Sequence, residues 1–254
     1  MDDVHGAFTT NGEGHNSEGL LARRRVRPGQ NLPARSGSDP LGGLGGLDAL
    51  SGLTGFAGPT VRNERRRRPT IVGIGGTTRP ESTTLHALST VLRTMAGAGA
   101  ETVLLGSADL DLPMYVPEQR ERTPAAQRLI SEVARADGLV IATPGYHGGM
   151  SGLVKNALDY LEDLRDAPRP YLDGRAVGLI VCADGPQTAG TALATLRSSV
   201  HALRGWPTPL GVSIDTSTPP FGPDGKVVDQ RTASHLETLT DHVMGFAYAW
   251  SQVI

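Results

Sequence analysis

A loop of small residues carrying one tyrosine and one histidine follows the apolar run Gly138–Ala142. It covers residues 143–150, and a helix-like pattern starts directly after it. Glycines let a backbone approach a ligand closely, and the Tyr146 and His147 rings could lie against a flat molecule. Because ligands of open α/β sheets bind outside the carboxyl ends of the strands, this loop is a candidate binding site. Taken alone, His147 could equally be an ordinary surface histidine.

A second polar loop, residues 73–84, follows the first apolar run and reads GIGGTTRPESTT. Thr78 occupies the third glycine position of the dinucleotide fingerprint G-x-G-x-x-G, and the G-K-[ST] of a P-loop is missing, so both of those sites are excluded. Hydroxyl groups and one arginine remain at the start of a predicted helix, whose N-terminus favours anions. Ser82 could also simply cap that helix. The loop predicts a site for a phosphate monoester, as on a mononucleotide, formed by Thr77, Arg79, Ser82 and Thr84.

A third loop, residues 182–190, follows another apolar run and should face the same crevice. Its backbone N–H groups could bind the polar edge of a flat ring. The Asp184 carboxylate would then lie beside the ring, or else face water in a turn, which the Asp-Gly pair favours. Cys182 is interpreted as a buried residue at a strand end without chemistry.

The elements that must position these loops alternate between two patterns. Short, nearly continuous apolar runs are typical of strands buried on both faces, and alternation of strands with helices predicts a doubly wound parallel sheet with right-handed crossovers. Five strands favour the order 2-1-3-4-5, as in flavodoxin. The predicted strands are Thr70–Ile74, Glu101–Leu105, Gly138–Ala142, Ala176–Cys182 and Pro209–Ile214. The predicted helices are Thr83–Ala98, Pro124–Ala136, Gly152–Leu164, Thr188–Leu203 and Thr232–Trp250.

Two longer connections, Asp109–Pro117 and Asp215–Asp229, could each form a wall or lid of the site or be plain surface loops. On the helix that follows the first loop, Lys155, Asn156 and Asp159 are interpreted as structural residues.

Composition divides the chain into two parts. Residues 1–68 are rich in Gly, Pro, Ser, Asn and Arg, which predicts a disordered tail and linker, followed by one domain over residues 69–254. Within the tail, Leu41–Phe56 could be a docking peptide for a partner protein or a flexible linker. The net charge of −2 argues against a nucleic-acid binder. The lone cysteine fits a reducing compartment, and with neither a signal peptide nor an apolar run of about 18 residues we expect a cytoplasmic protein without a membrane span.

With three loops in this order, residues 70–250 resemble the NAD(P)H-dependent FMN reductases of the flavodoxin-like superfamily. The motifs on which this resemblance rests are GGTTRPEST, TPGYHGGMSGLVKNALDYL and ADGPQTAG. The resemblance implies that the first loop binds the FMN phosphate through the four residues named above. Many members read Pro-Glu-Tyr-Asn where this chain has PGYH at 144–147, so its substrate preference can differ. The flavin ring is expected to lie against Pro144, Tyr146, His147, Gly148 and Gly149, with its pyrimidine side at Asp184 and Gly185.

The resemblance further implies an enzyme that passes hydride from NADPH or NADH to flavin, and electrons on to a quinone, an azo compound, oxygen or a partner oxygenase. The flavin would carry the chemistry, so we expect neither a catalytic side chain nor a metal. A homodimer or homotetramer is expected by analogy. Three alternatives stay open. They are a biosynthetic flavin oxidoreductase acting on a specialised metabolite or peptide, with the tail docking a partner; a flavodoxin-type electron carrier; and a scaffold protein in which flavin binding is vestigial. The net charge of −2 disfavours the carrier, which would usually show a strongly acidic face.

Overall fold

The computed structural model describes residues 67–79 and 81–250. The predicted tail, including its possible docking segment, lies outside the described residues except for its last two arginines, and its boundary with the domain stays a prediction. The Arg67 guanidinium lies 2.5 Å from the buried carboxylate of Asp137, which also accepts the N–H of Thr70 at 2.8 Å. Ordered contacts therefore begin at least three residues before the first strand.

A parallel sheet forms the centre of the domain. The strands of the domain are β1 Thr70–Gly75, β2 Glu101–Leu105, β3 Gly138–Tyr146, β4 Gly149–Met150, β5 Ala176–Ala183, β6 Trp206–Pro207 and β7 Val212–Asp215. The order along the main path of the sheet is β2-β1-β3-β5-β6, and β7 also pairs with β5 in parallel. Since β6 pairs with Ala176–Val177 and β7 with Ile180–Ala183, the two share the fifth position of the sheet. The predicted order is confirmed.

The predicted count of five strands is wrong, because the described residues form seven. One additional strand is β4, which pairs with the end of β3 as an antiparallel hairpin. The other arises because the predicted strand Pro209–Ile214 is replaced by β6 and β7. Pro207 and Pro209 have no N–H to donate to a ladder, and between them the Thr208 hydroxyl donates to the carbonyl of Leu210 at 2.8 Å. The chain therefore leaves the sheet after Thr208, whose N–H still donates to the carbonyl of Val177 at 3.0 Å, and rejoins it at Val212.

Helices cover both faces of the sheet. They are α1 Thr83–Gly97, α2 Pro124–Arg135, α3 Gly152–Asp159, α4 Pro186–Ala202 and α5 Gln230–Trp250. Side chains of α1 and α5 build the core on one face, and those of α2, α3 and α4 build it on the other. The predicted helix 152–164 is α-helical only as far as Asp159 and continues as a 3-10 helix over Tyr160–Leu164. In the described part of the chain, no helix is long and apolar enough to cross a membrane.

Side-chain caps explain where the first three helices begin. The hydroxyl of Ser82 accepts the N–H of Leu85 at 3.2 Å, and Thr123 and Ser151 cap α2 and α3 in the same way. A hydroxyl at this position satisfies an N–H group that has no acceptor within the helix. Two of these caps matter for the site, because Ser82 begins the helix after β1 and Ser151 begins the helix after the β3–β4 hairpin.

Candidate functional site

A cleft of about 690 Å³ lies where β1, β3 and β5 end and the polar loops begin. This volume is within the range of small-molecule and cofactor sites, about 300–1,000 Å³. The cleft brings together eight of the predicted site residues. These are Thr77, Arg79, Ser82, Thr84, Pro144, Tyr146, His147 and Asp184. The remaining three, Gly148, Gly149 and Gly185, are not among the residues that line it.

The loop after β1 brings hydroxyl groups and a cation to the start of α1. The buried Thr77 hydroxyl donates to the carbonyl of Arg79 and accepts its N–H, both at 3.1 Å, which closes a tight turn. The Arg79 guanidinium has no acidic partner among the described residues. Ser82 caps α1, as the simpler reading of the sequence proposed, and it also lines the cleft. This end of the cleft therefore combines a helix N-terminus with an arginine that has no acidic partner within the described residues.

This end of the cleft also carries a negative charge, because Glu81 lines it together with Arg79. Its side chain is 85% exposed, and its carboxylate lies 3.8 Å from Nε2 of His86 on α1. Glu81 has a φ of 57°, which is uncommon for a residue with a side chain. A carboxylate here opposes a bound anion, and its exposure to water weakens that opposition.

The loop of residues 143–150, which the sequence assigns to the flavin ring, forms a β-hairpin with a two-residue turn. Gly145 pairs with Met150 and Tyr146 with Gly149, which leaves His147 and Gly148 as the turn. Their φ angles are 49° and 81°, as a type I′ turn requires at both central positions. Histidine and asparagine are both enriched among residues with positive φ. The backbone therefore accounts for a histidine where many members of the resembled family have asparagine.

Two contacts hold this hairpin on the domain. At its base, the buried Thr143 hydroxyl accepts the N–H of Ser151 at 2.9 Å, and Ser151 in turn caps α3. At its tip, the Thr195 hydroxyl of α4 lies 3.1 Å from the carbonyl of Gly148 and 3.0 Å from that of Thr191, so its one proton is shared between the two acceptors. Tyr146, which these contacts place at the cleft, is 47% exposed. A half-exposed aromatic ring on a rigid turn provides a surface for a flat ligand.

Gly145 departs from the family pattern for a reason visible in the packing. A Cβ atom at this position would lie 3.0 Å from Cβ of Ala183 and 3.3 Å from Cβ of Ala192. The lack of a side chain lets α4 approach the hairpin closely. A glutamate, which many relatives carry here, would need both neighbours to shift.

The loop after β5 forms the opposite wall of the cleft. Asp184 is exposed and lines the cleft, whereas the N–H of Gly185 donates to the carboxylate of Asp215 at 3.1 Å. Cys182 is 4% exposed, and burial raises the pKa of its thiol to about 12, although a hydrogen bond with Thr84 acts in the opposite direction. A thiol with this pKa stays protonated at neutral pH, in agreement with the absence of chemistry expected for this residue.

The two long connections have different roles. The first, Asp109–Pro117, is not among the segments that line the cleft, and Asn156 holds it against α3. The Asn156 side chain accepts the N–H of Tyr115 at 2.9 Å and donates to the carbonyl of Pro113 at 2.9 Å. The second connection contributes Thr216 to the wall of the cleft. The structural interpretation of Asn156 is confirmed, and so is that of the Lys155–Asp159 pair, whose charged atoms lie 2.6 Å apart.

Several lining residues were missed from the sequence. Thr83 and Glu81 lie inside the loop 73–84 that was assigned to the phosphate, and its run of hydroxyl residues could have indicated that they line the cleft. Thr188 lies in the first turn of α4, and Thr216 lines the cleft because its N–H bonds to the carbonyl of Ala183 at 2.9 Å. Nothing in the sequence around Thr216 indicates this contact. The lining residues outside the predicted set are Glu81, Thr83, Gly145, Cys182, Ala183, Thr188 and Thr216.

Comparison with known proteins gives consistent results. An NADPH azoreductase of Bacillus sp. (strain OY1-2) is 34% identical over 106 residues, which are 41% of this chain and 56% of that protein. A quinone reductase of Escherichia coli (strain K12) is 32% identical over 133 residues, 50% of this chain and 68% of that protein. The chain thus spans about half to two thirds of the length of these relatives.

Solved structures share the fold. FerB, a flavoenzyme NAD(P)H:(acceptor) oxidoreductase from Paracoccus denitrificans, superposes with a TM-score of 0.57 at 24% identity, over 70% of this chain and 97% of that one. An NADH:FMN oxidoreductase superposes with a TM-score of 0.54 at 22% identity, over 69% and 88% of the two chains. The sequence pattern of the family described as NADPH-dependent FMN reductase matches residues 69–218, more than half of the chain. The chain therefore belongs to the NADPH-dependent FMN reductase family, which confirms the resemblance inferred from its three loops.

Proposed function

We propose that this protein is an FMN-dependent oxidoreductase that takes hydride from NADPH or NADH and reduces a small-molecule acceptor. The observation that carries the proposal is the cleft itself. It joins a helix N-terminus and an arginine at one end to an aromatic hairpin and a polar loop along its walls. A phosphate group and a flat ring, the two halves of a flavin mononucleotide, need these two kinds of surface.

The residues present fit that cofactor. Arg79, Ser82 and the first-turn N–H groups of α1 would hold the phosphate, because they are donors at the positive end of a helix. Tyr146 and His147 would flank the ring on the side of the hairpin. Asp184 would meet its opposite edge. Thr77 contributes indirectly, since its hydroxyl is engaged by the backbone of Arg79.

When bound, FMN supplies the hydride and electron transfer, so the protein needs no acid–base pair of its own. The chain's part is to bind and to exclude water. Pro144 of β3 and Cys182 and Ala183 of β5 are buried residues that line the cleft together with the exposed Tyr146. The hairpin, fixed by Thr143 at its base and Thr195 at its tip, keeps the aromatic wall in place.

For the acceptor we propose a quinone or an azo compound. The names of the two relatives support this class, and both kinds of acceptor are flat enough to stack on an aromatic ring. Oxygen and a partner oxygenase are the other acceptors that the sequence suggested. A homodimer or homotetramer, a protein partner for the tail and a cytoplasmic location stay predictions.

The phosphate end of the site is tested by comparing FMN with riboflavin, which lacks the phosphate. We expect Arg79→Ala to weaken FMN binding about tenfold or more, the usual effect of losing one charge-assisted hydrogen bond, and to leave riboflavin binding nearly unchanged. Arg93→Ala is the matched control, because Arg93 is an exposed residue of α1, the helix that follows Arg79, and is not among the residues that line the cleft. Dissociation constants come from quenching of flavin fluorescence. Equal losses for both ligands would refute the assignment of Arg79 to the phosphate.

A further inference from the structure

Asp215, the last residue of β7, connects two segments that line the cleft. Its Oδ1 atom accepts the N–H of Gly185 at 3.1 Å and the N–H of Ser217 at 2.9 Å. Gly185 lies between Asp184 and the start of α4, and Ser217 follows Thr216. Both Asp184 and Thr216 line the cleft. One carboxylate oxygen therefore joins the ends of β5 and β7 at the cofactor site.

The start of α4 has few other means of being fixed. Gly185 is the N-cap residue with a φ of 91°, and it has no side chain with which to cap the helix. The next residue, Pro186, has no N–H group. By contrast, α1, α2 and α3 each begin with a hydroxyl that caps its own helix. The bond to Asp215 satisfies the N–H of the N-cap residue Gly185 itself, so it does not replace such a cap, but it ties the start of α4 to another strand.

The charge of Asp215 suits this task. The N–H of Ser217, followed by its side chain and by the N–H of Gly185, lowers the pKa of the Asp215 carboxyl below its usual value. Backbone N–H groups bond a carboxylate more strongly than a neutral oxygen. The acceptor is thus ionised across the neutral range and always available to both donors.

We propose that Asp215 is a positioning residue for the cofactor, which acts by holding the loop 184–188 against the end of β7. It sets the wall that meets the ring and leaves the phosphate end unaffected. The inference rests on the proposed function, since the ring is assigned to that wall. It differs from the role of Arg79, which concerns the phosphate alone.

The test combines three variants with two ligands. Asp215→Ala should weaken FMN and riboflavin by the same factor, about fivefold, because an exposed charge-assisted bond contributes less than one power of ten. Asp215→Asn keeps an acceptor oxygen and should recover most of the affinity for both. The matched control is Asp224→Ala. Asp224 accepts the N–H of Lys226 at 3.1 Å in the same connection, and unlike the partners of Asp215, Lys226 does not adjoin a residue that lines the cleft.

A second measurement needs no flavin. In the ligand-free protein, amide hydrogen exchange over residues 184–189 should become faster in Asp215→Ala and stay unchanged in Asp224→Ala. A parent protein that binds neither flavin would overturn the proposed function, whatever the exchange shows. If the parent binds both flavins, two results would overturn the role of Asp215. One is an Asp215→Ala variant with the same affinity as the parent for both flavins, and the other is a variant whose affinity falls for FMN alone. Unchanged exchange over 184–189, or failure of Asp215→Asn to recover binding, would do the same.

Discussion

Gly148 at the tip of the β3–β4 hairpin gives the sharpest test of how the aromatic wall is built. Its φ of 81° lies in the left-handed region, which costs a residue with a side chain roughly 1–2 kcal/mol. A Cβ atom here would also lie 3.3 Å from Cγ2 of Thr191, closer than most real contacts. Against this, alanine restricts the unfolded chain and recovers about 0.4–1 kcal/mol. Gly148→Ala should therefore lower the free energy of unfolding by about 1 kcal/mol.

The control for this variant lies four residues further along the chain. Gly152, the first residue of α3, has no positive φ, and a Cβ atom there would meet nothing within 4 Å. Gly152→Ala should leave stability unchanged or raise it by up to about 1 kcal/mol, since alanine favours a helix. The two variants should thus differ by about 1–2 kcal/mol in urea unfolding followed by circular dichroism. Gly148→Asn should be milder than Gly148→Ala, because asparagine tolerates this conformation.

Binding measurements then connect the turn to the site. Gly148→Ala should weaken FMN and riboflavin alike, because we assign the hairpin to the ring and not to the phosphate. Equal unfolding midpoints for Gly148→Ala and Gly152→Ala would refute the claim that the turn enforces a left-handed residue. A destabilised variant with unchanged affinity for both flavins would show that the hairpin is no wall of the site.

Two further predictions concern Cys182, which lines the cleft, and the Asp163–Arg122 pair, which does not. Cys182 should resist alkylation by iodoacetamide in the native protein at about pH 8, because burial raises its thiol pKa to about 12, and should react fully once urea unfolds the chain; rapid labelling of the native protein, read by mass spectrometry, would contradict its burial. Asp163 accepts Nε of Arg122 at 2.7 Å and Nη2 at 2.8 Å, and these bonds lower its pKa. Because the folded pKa lies below the unfolded value, the pair adds stability that is complete above about pH 4 and is lost as the pH falls through the folded pKa. Urea unfolding at a series of pH values should show that the free energy of unfolding falls less on acidification in Asp163→Asn than in the parent. An equal fall in both proteins would count against the pair.

Much of the fold could be predicted because local signals agree with it. Ser82, Thr123 and Ser151 mark three helix starts correctly, since a capping hydroxyl acts within its own turn of chain. The strand order followed from alternating apolar runs and the handedness of crossovers. The start of α4 was placed two residues late, at Thr188 instead of Pro186. Pro186 at the first helical position was a usable local signal of this start, whereas the contact with Asp215, thirty residues further on, leaves no local pattern.

The site was only partly accessible to sequence reasoning for the same physical reason. Loops at strand ends could be assigned to one crevice, and eight predicted residues do line it. The hairpin of β3 and β4 was not foreseen, because a histidine at its turn is a weaker signal than the Asn-Gly or Asp-Gly pairs typical of such turns. Thr216 reaches the cleft through a single backbone bond to β5, which depends on tertiary structure alone.

The central claim is that the cleft binds FMN and delivers hydride from a reduced nicotinamide to it. The most direct measurement is a visible spectrum of the purified protein loaded with FMN, recorded without oxygen before and after addition of NADPH, and then of NADH to a second sample. We predict that the yellow flavin absorbance co-purifies with the protein or is taken up from excess FMN. It should fade on addition of at least one nucleotide and return when a quinone is added. A protein that takes up no FMN, or whose bound flavin keeps its absorbance with both nucleotides, would contradict the account.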